Sequence, residues 1–295
     1  MAPATILPHD SAAMDRQTGT ESLPGLHIIG LGLGDELDIT LRGLNLVKSA
    51  SDVFLEAYTS ILSVPVESLQ KLYGRQVTIA DREFVEERAE IILDAAARPG
   101  GAAFLVVGDP FGATTHSDLW LRARERSIPV SVVHNASIMN AVAVTGLQLY
   151  RFGQAISICF WTETDRPTSY YPKLVANRQQ GVHTLCLLDI KVKEPSLESL
   201  ARGKKVYEPP RYMTINQAVE QLLEIDALLG SNELEENSMA VGVARIGQLD
   251  QIIRYATLAE LKKTDFGPPL HSLIIPARDL HFHELEVLNC FKSAT

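Results

Sequence analysis

Two glycine-rich phrases, each placed directly after an apolar run, constrain this chain more than any other feature. The first is Gly30-Leu31-Gly32-Leu33-Gly34-Asp35, behind Leu26-His27-Ile28-Ile29. The second is Val107-Gly108-Asp109-Pro110-Phe111-Gly112, behind Ala103-Phe104-Leu105-Val106. A helix-like segment follows each. Open α/β sheets bind ligands beyond the carboxyl ends of their strands, so two such turns predict one shared ligand cleft. Glycine suits the position because a side chain would hold a ligand away from the backbone. The ligand expected from a G-x-G turn is a dinucleotide, but the third glycine of G-x-G-x-x-G is replaced here by Asp35, and an acid there would repel a pyrophosphate. G-x-x-x-x-G-K-[ST] is absent as well.

Alternating strand and helix patterns run from Leu26 to about His134. Asp52-Val53-Phe54-Leu55, Gln76-Val77-Thr78-Ile79 and Pro129-Val130-Ser131-Val132-Val133 read as further strands. Thr40 is an N-cap for a helix over Leu41 to Ser49, and Asp81 caps a longer helix carrying Phe84, Val85, Ile91, Ile92 and Ala95. This order predicts a mainly parallel sheet flanked by helices.

After His134 the texture changes. Ser137 caps an apolar helix over Ile138 to Leu149, followed by strand candidates at Ala155 to Phe160 and Thr184 to Leu188. A helix from Thr214 to Leu229 precedes strands at Met239 to Ala244 and Ser272 to Ile275. The connections are longer and less regular, which predicts a second α/β domain with a mixed sheet. The expected organisation is a disordered extension over 1–25, an N-terminal α/β domain over 26–136 and a C-terminal α/β domain over 137–295. No Pro/Gly linker separates the two domains, so the cleft is expected between them.

Composition excludes several classes. A formal net charge of -9 argues against non-specific nucleic-acid binding. With 46% apolar and 21% charged residues, the chain has the balance of a globular domain. No apolar run reaches the length of a membrane span, and the first 25 residues lack the core of a secretory signal. Cys159, Cys186 and Cys290 are odd in number and widely spaced, as expected in a reducing compartment. His281 and His283 form an H-x-H pair without a second ligand cluster, so no metal is expected.

The opening strand, its glycine turn and Asp38-Ile39-Thr40-Leu41 resemble the tetrapyrrole methylase superfamily. Within it, longer phrases resemble the eukaryotic branch of the diphthine synthase family. They are Val53-Phe54-Leu55-Glu56-Ala57-Tyr58-Thr59-Ser60, Gly108-Asp109-Pro110-Phe111-Gly112-Ala113-Thr114-Thr115-His116 and His134-Asn135-Ala136-Ser137-Ile138-Met139-Asn140-Ala141. Further on come His183 to Lys191, Tyr207 to Met213 and Pro269 to Ile275. The phrases run in order from about residue 26 to the C-terminus.

The resemblance implies two α/β domains of tetrapyrrole methylase type with an S-adenosylmethionine cleft between them. It implies a methyltransferase acting on the 3-amino-3-carboxypropyl-histidine of translation elongation factor 2 in diphthamide biosynthesis. Three methyl groups would go to nitrogen and one to the carboxylate. It also implies a cytoplasmic homodimer. The cofactor-binding residues it implies are Leu33, Asp109, Gly112, Ser137, Ile138, Leu188, Ile246 and His271. Two other classes stay open, a methyltransferase acting on a small tetrapyrrole and a catalytically silent scaffold.

Methyl transfer from a sulfonium is an in-line displacement, so positioning supplies much of the acceleration. A carboxylate acceptor is ionised at neutral pH, whereas an amine must first lose a proton. His116, His134 and His271 are the histidines beside the family phrases, and none is assigned as acid or base. Lys191, Lys193, Arg202, Lys204, Lys205 and Arg211 form a local basic run in an acidic chain. It reads either as a solvated face or as a docking surface for the protein acceptor.

Overall fold

The computed structural model describes residues 24–193 and 207–292. The N-terminal extension therefore falls almost wholly outside the described residues, as do Arg202, Lys204 and Lys205 of the basic run.

The first half alternates strand and helix: β1 (Leu26–Gly30), α1 (Leu41–Ser49), β2 (Asp52–Glu56), α2 (Val66–Tyr73), β3 (Thr78–Ala80), α3 (Arg82–Glu86), α4 (Glu90–Ala96), β4 (Ala102–Val106), α5 (Ser117–Glu125) and β5 (Val130–Val133). These strands form one parallel sheet in the order β3-β2-β4-β1-β5. Apolar side chains alternate between its faces. Ile28 and Phe104 pack into one core, while Ile29 and Leu105 pack into the other. Both faces are covered, which is why β1 and β4 are apolar at almost every position.

A short helix, α6 (Ile138–Ala141), opens the second half. Then come β6 (Ile156–Ile158), α7 (Tyr171–Gln179), β7 (Thr184–Leu188), β8 (Ile190–Lys191), β9 (Arg211–Tyr212), α8 (Ile215–Leu229), β10 (Met239–Ala244), β11 (Ile252–Thr257), α9 (Leu258–Leu261), β12 (His271–Ile275) and α10 (Phe282–Asn289). The second sheet has the order β11-β10-β12-β7-β6 and is antiparallel except for the β6–β7 pair. The mixed sheet expected from sequence is therefore present. Strands β8 and β9 form a separate antiparallel pair.

Two helices differ from expectation. The helix capped by Asp81 is broken into α3 and α4, although Val85, Ala89, Ile92 and Ala96 keep helical spacing through the break. The chain must change direction there: α3 packs on β3, whereas α4 packs on β4 and β2. The apolar helix after Ser137 also stops early. It tightens into a 3₁₀ turn over Val142–Thr145 and ends at Gly146, whose φ of +87° places it in the left-handed region that ends helices.

Candidate active site

The two glycine turns meet. Gly32 donates its N–H to the Gly108 carbonyl at 3.2 Å, and Gly108 donates back to Gly32 at 2.7 Å. Gly108 takes a φ of +80°, which lets the chain double back at the end of β4. A third loop, following β5, joins them. The Asn135 amide donates to the Gly30 and Asp38 carbonyls, both at 3.0 Å.

Asp109 binds the second and third loops together. One of its oxygens accepts the Phe111 N–H at 2.9 Å; the other accepts the Asn135 N–H at 3.1 Å and the His134 Nδ1–H at 2.8 Å. Partial burial pushes the Asp109 carboxyl up, but the donors from Phe111, Asn135 and His134 outweigh it and hold the group below the ordinary range. The acid that ends β4 is thus ionised and fully engaged by protein.

Beside these loops lies a cleft of about 370 Å³, within the usual range for small-molecule sites. It is walled by the loops after β1, β4 and β5 on one side and by the second sheet on the other. Of the eight residues expected around the cofactor, seven line it: Leu33, Gly112, Ser137, Ile138, Leu188, Ile246 and His271. Asp109 does not, and its reach extends to the loops that carry Gly112 and Ser137. The cleft leaves no room for a side chain at Gly112, where a Cβ would meet the Ser137 hydroxyl at 2.7 Å. At Leu33 the N–H is already directed to Asp38, at 3.3 Å, and the carbonyl accepts from Gln248 of the second half at 3.4 Å.

Sequence reasoning did not single out Tyr58 and Arg82, which line the cleft from the loops after β2 and β3, or Arg245 from the loop after β10. Tyr58 lies within a family phrase but was given no role there, and nothing in the local pattern of Arg82 or Arg245 sets them apart from ordinary loop residues. Arg245 is fully occupied. Its Nε donates to Asp250 at 2.7 Å, one terminal nitrogen donates to the Phe266 and Pro268 carbonyls, and the other donates to the Asp250 carbonyl.

Each of the three histidines beside the family phrases is held by the protein through at least one ring nitrogen, while the buried Nε2 of His116 has no hydrogen-bond partner. His271 Nε2 donates toward the Gly267 and Pro268 carbonyls, both at 3.1 Å, and Nδ1 accepts from Ile215 N–H at 3.4 Å. Burial depresses its pKa, against the pull of those carbonyls. His116 donates from Nδ1 to the Pro110 carbonyl and is almost fully buried, and burial lowers its pKa as well. His134 is held by Asp109 on an exposed surface.

The chain matches the family model described as Tetrapyrrole (Corrin/Porphyrin) Methylases over residues 25–262. Among curated proteins it is 56% identical to the Homo sapiens diphthine methyl ester synthase over 270 residues, covering 90% of this chain and 94% of the relative. It is 53% identical to the Dictyostelium discoideum diphthine methyl ester synthase, covering 90% of this chain and 98% of that protein. Among solved structures, a candidate diphthine synthase from Entamoeba histolytica superposes with a TM-score of 0.82 at 50% identity, covering 92% of this chain and all (100%) of the other. A second diphthine synthase structure gives 0.77 at 35% identity, covering 90% and 95%.

Proposed function

This chain belongs to the tetrapyrrole methylase family and is an S-adenosylmethionine-dependent methyltransferase, and from that premise we propose that its acceptor is the 3-amino-3-carboxypropyl-histidine of elongation factor 2. The reaction is three N-methylations and one carboxylate methylation, giving a diphthine methyl ester. The observation that carries this reading is the likeness to curated diphthine methyl ester synthases over nine-tenths of the chain. A small tetrapyrrole acceptor and a silent scaffold have no comparable support. The enzyme works as a cytoplasmic homodimer, and among the described residues no helix is long and apolar enough to cross a membrane.

The chain divides near residue 136 into the α/β unit of the parallel sheet and that of the mixed sheet. The cleft residues suit the cofactor. Leu33, Ile138, Leu188 and Ile246 supply apolar cover for a purine, and the missing side chain at Gly112 lets Ser137 close against the second glycine turn. His271 contributes its ring face and adjacent backbone. Asp109 acts one step back, by holding the Gly112 and Ser137 loops in register.

The bound cofactor supplies an electrophilic methyl group on a sulfonium. The protein holds the acceptor in line with it and excludes water. A buried, neutral His271 with both nitrogens engaged is not a base. With no residue assigned as base, positioning carries the catalysis.

The test is incubation with labelled S-adenosylmethionine and elongation factor 2 carrying the unmethylated group, followed by weighing of the modified peptide. Four added methyl groups, one lost in mild alkali, is the expected result. Three alkali-stable groups would remove the ester step. No transfer despite cofactor binding would overturn the acceptor.

A further inference from the structure

Of the residues expected around the cofactor, Leu33, Asp109, Gly112, Ser137 and Ile138 follow β1, β4 and β5, which are neighbours in the parallel sheet. The cleft continues past them. Tyr58, Thr59, Ser60 and Ile61 line it from the end of β2, and Arg82 lines it from the end of β3, the edge strand. With strands about 4.8 Å apart, the end of β3 lies roughly 10 Å beyond β4 along the sheet. That leaves one end of the cleft with side chains that the cofactor assignment does not use.

The charges there are uneven. Only two basic side chains line the cleft among the described residues, Arg82 and Arg245. Every nitrogen of Arg245 is committed to Asp250 or to backbone carbonyls, and its side chain is 6% exposed. Arg82 is different. Its guanidinium lies over the Tyr58 ring, 5.4 Å from the centroid, and its Nε is 3.9 Å from a Glu86 oxygen. Stacking on a buried ring fixes the plane of the guanidinium and leaves its edge donors for a partner. Tyr58 is itself held firmly: Glu56, which is buried, accepts the N–H groups of Tyr58 and Thr59 and the Thr59 hydroxyl.

We propose that Arg82 binds the carboxylate of the acceptor's aminocarboxypropyl group and so sets the reach of its amine into the cleft. The inference rests on the acceptor proposed above and gives that acceptor an anchor. A planar guanidinium fork matches a carboxylate and fixes its orientation as well as its position. The anchor also orders the reaction. In carboxylate methylation, an oxygen lone pair forms the new O–CH₃ bond as the S–CH₃ bond breaks, and the sulfonium departs as the neutral thioether S-adenosylhomocysteine. The ester formed has no charge for Arg82 to hold. Carboxylate methylation is therefore the last transfer, and it releases the acceptor.

The experiment measures kcat/KM for elongation factor 2 bearing the unmethylated group, and cofactor affinity by calorimetry, in wild type, Arg82→Gln and Arg82→Ala. Acceptor kcat/KM should fall about 10- to 100-fold, the loss expected for a charged hydrogen-bonded partner, with cofactor affinity kept within about twofold. Guanidinium ion at millimolar concentration should restore part of the Arg82→Ala activity, which a purely structural defect would not permit. With limiting cofactor, the wild type should yield no ester that carries fewer than three N-methyl groups. Variants with wild-type acceptor kcat/KM, a loss that guanidinium does not restore, or early esters would each overturn the proposal. A wild type that binds cofactor but transfers nothing to this acceptor would sink the acceptor assignment and this anchor with it. Transfer by the wild type with unaffected variants would sink the anchor alone.

Discussion

Asp109 ties together two loops that line the cleft without lining it itself. Its two oxygens take three hydrogen bonds from the loops after β4 and β5, and it stays ionised despite partial burial. Hydrogen bonds to a charged group are worth roughly 1.5–3 kcal/mol each in net terms, so losing all three frees both loops from one another. Asp109→Ala should weaken S-adenosylmethionine binding at least about tenfold, with Asp109→Asn losing less because one acceptor oxygen survives. Calorimetry would show this directly, and unchanged affinity in the alanine variant would remove Asp109 from the binding machinery. The family resemblance pointed to Asp109. It gave no hint that the acid would face the neighbouring loops. Arg82 was invisible for the opposite reason, since an arginine opening a short surface helix needs no explanation until β3 is seen to end at the cleft.

Elements were legible in proportion to how completely local chemistry determined them. Helix α8 is the clearest. Thr214 accepts the Gln217 N–H while Gln217 reaches back to the Thr214 N–H, and Ile215, Ala218, Val219, Leu222 and Ile225 are buried along one face. Gly230 closes it in the left-handed conformation. Thr214→Ala should therefore cost about 1 kcal/mol of unfolding free energy, read as a lower denaturant midpoint at unchanged slope. A shift too small to measure would mean that packing, and not the cap, sets where α8 begins. Helix α7 and strand β11 were missed: Tyr171 opens α7 without a side-chain cap, its start marked only by Pro172, and β11 is an edge strand that is only half buried for most of its length. The break between α3 and α4 is a tertiary requirement. No residue in Glu86-Glu87-Arg88-Ala89 announces it.

At the scale of the whole molecule, the buried ionisable groups give stability a definite pH profile. His116, His183 and His271 sit in both halves of the fold, and burial lowers the pKa of each, opposed at His183 by Glu284 and at the others by carbonyls or Glu56. Because the folded state holds these rings neutral more strongly than the unfolded chain does, the unfolded chain binds more protons below its own pKa of about 6.5. Stability from the histidines is thus complete above that value and declines as pH falls below it. A second loss follows at lower pH. Asp109, Asp226 and Glu284 are all held below the ordinary carboxylate range by hydrogen bonds that outweigh their burial. Their contribution is present above about pH 4 and disappears as the folded groups protonate. The alkaline side has the reverse sign. Burial raises the phenols of Tyr58, Tyr73, Tyr170 and Tyr171, so above about pH 10 the unfolded chain loses protons that the folded chain keeps, and stability falls again. Denaturant midpoints measured from pH 4 to 10 should therefore rise from the acid end, with their main step below pH 6.5, and level off through neutrality. His183→Gln would remove part of that step, because Gln carries no proton-dependent charge. A midpoint that stayed flat between pH 4.5 and 7 would show that these histidines are no better shielded from protons in the fold than in the unfolded chain.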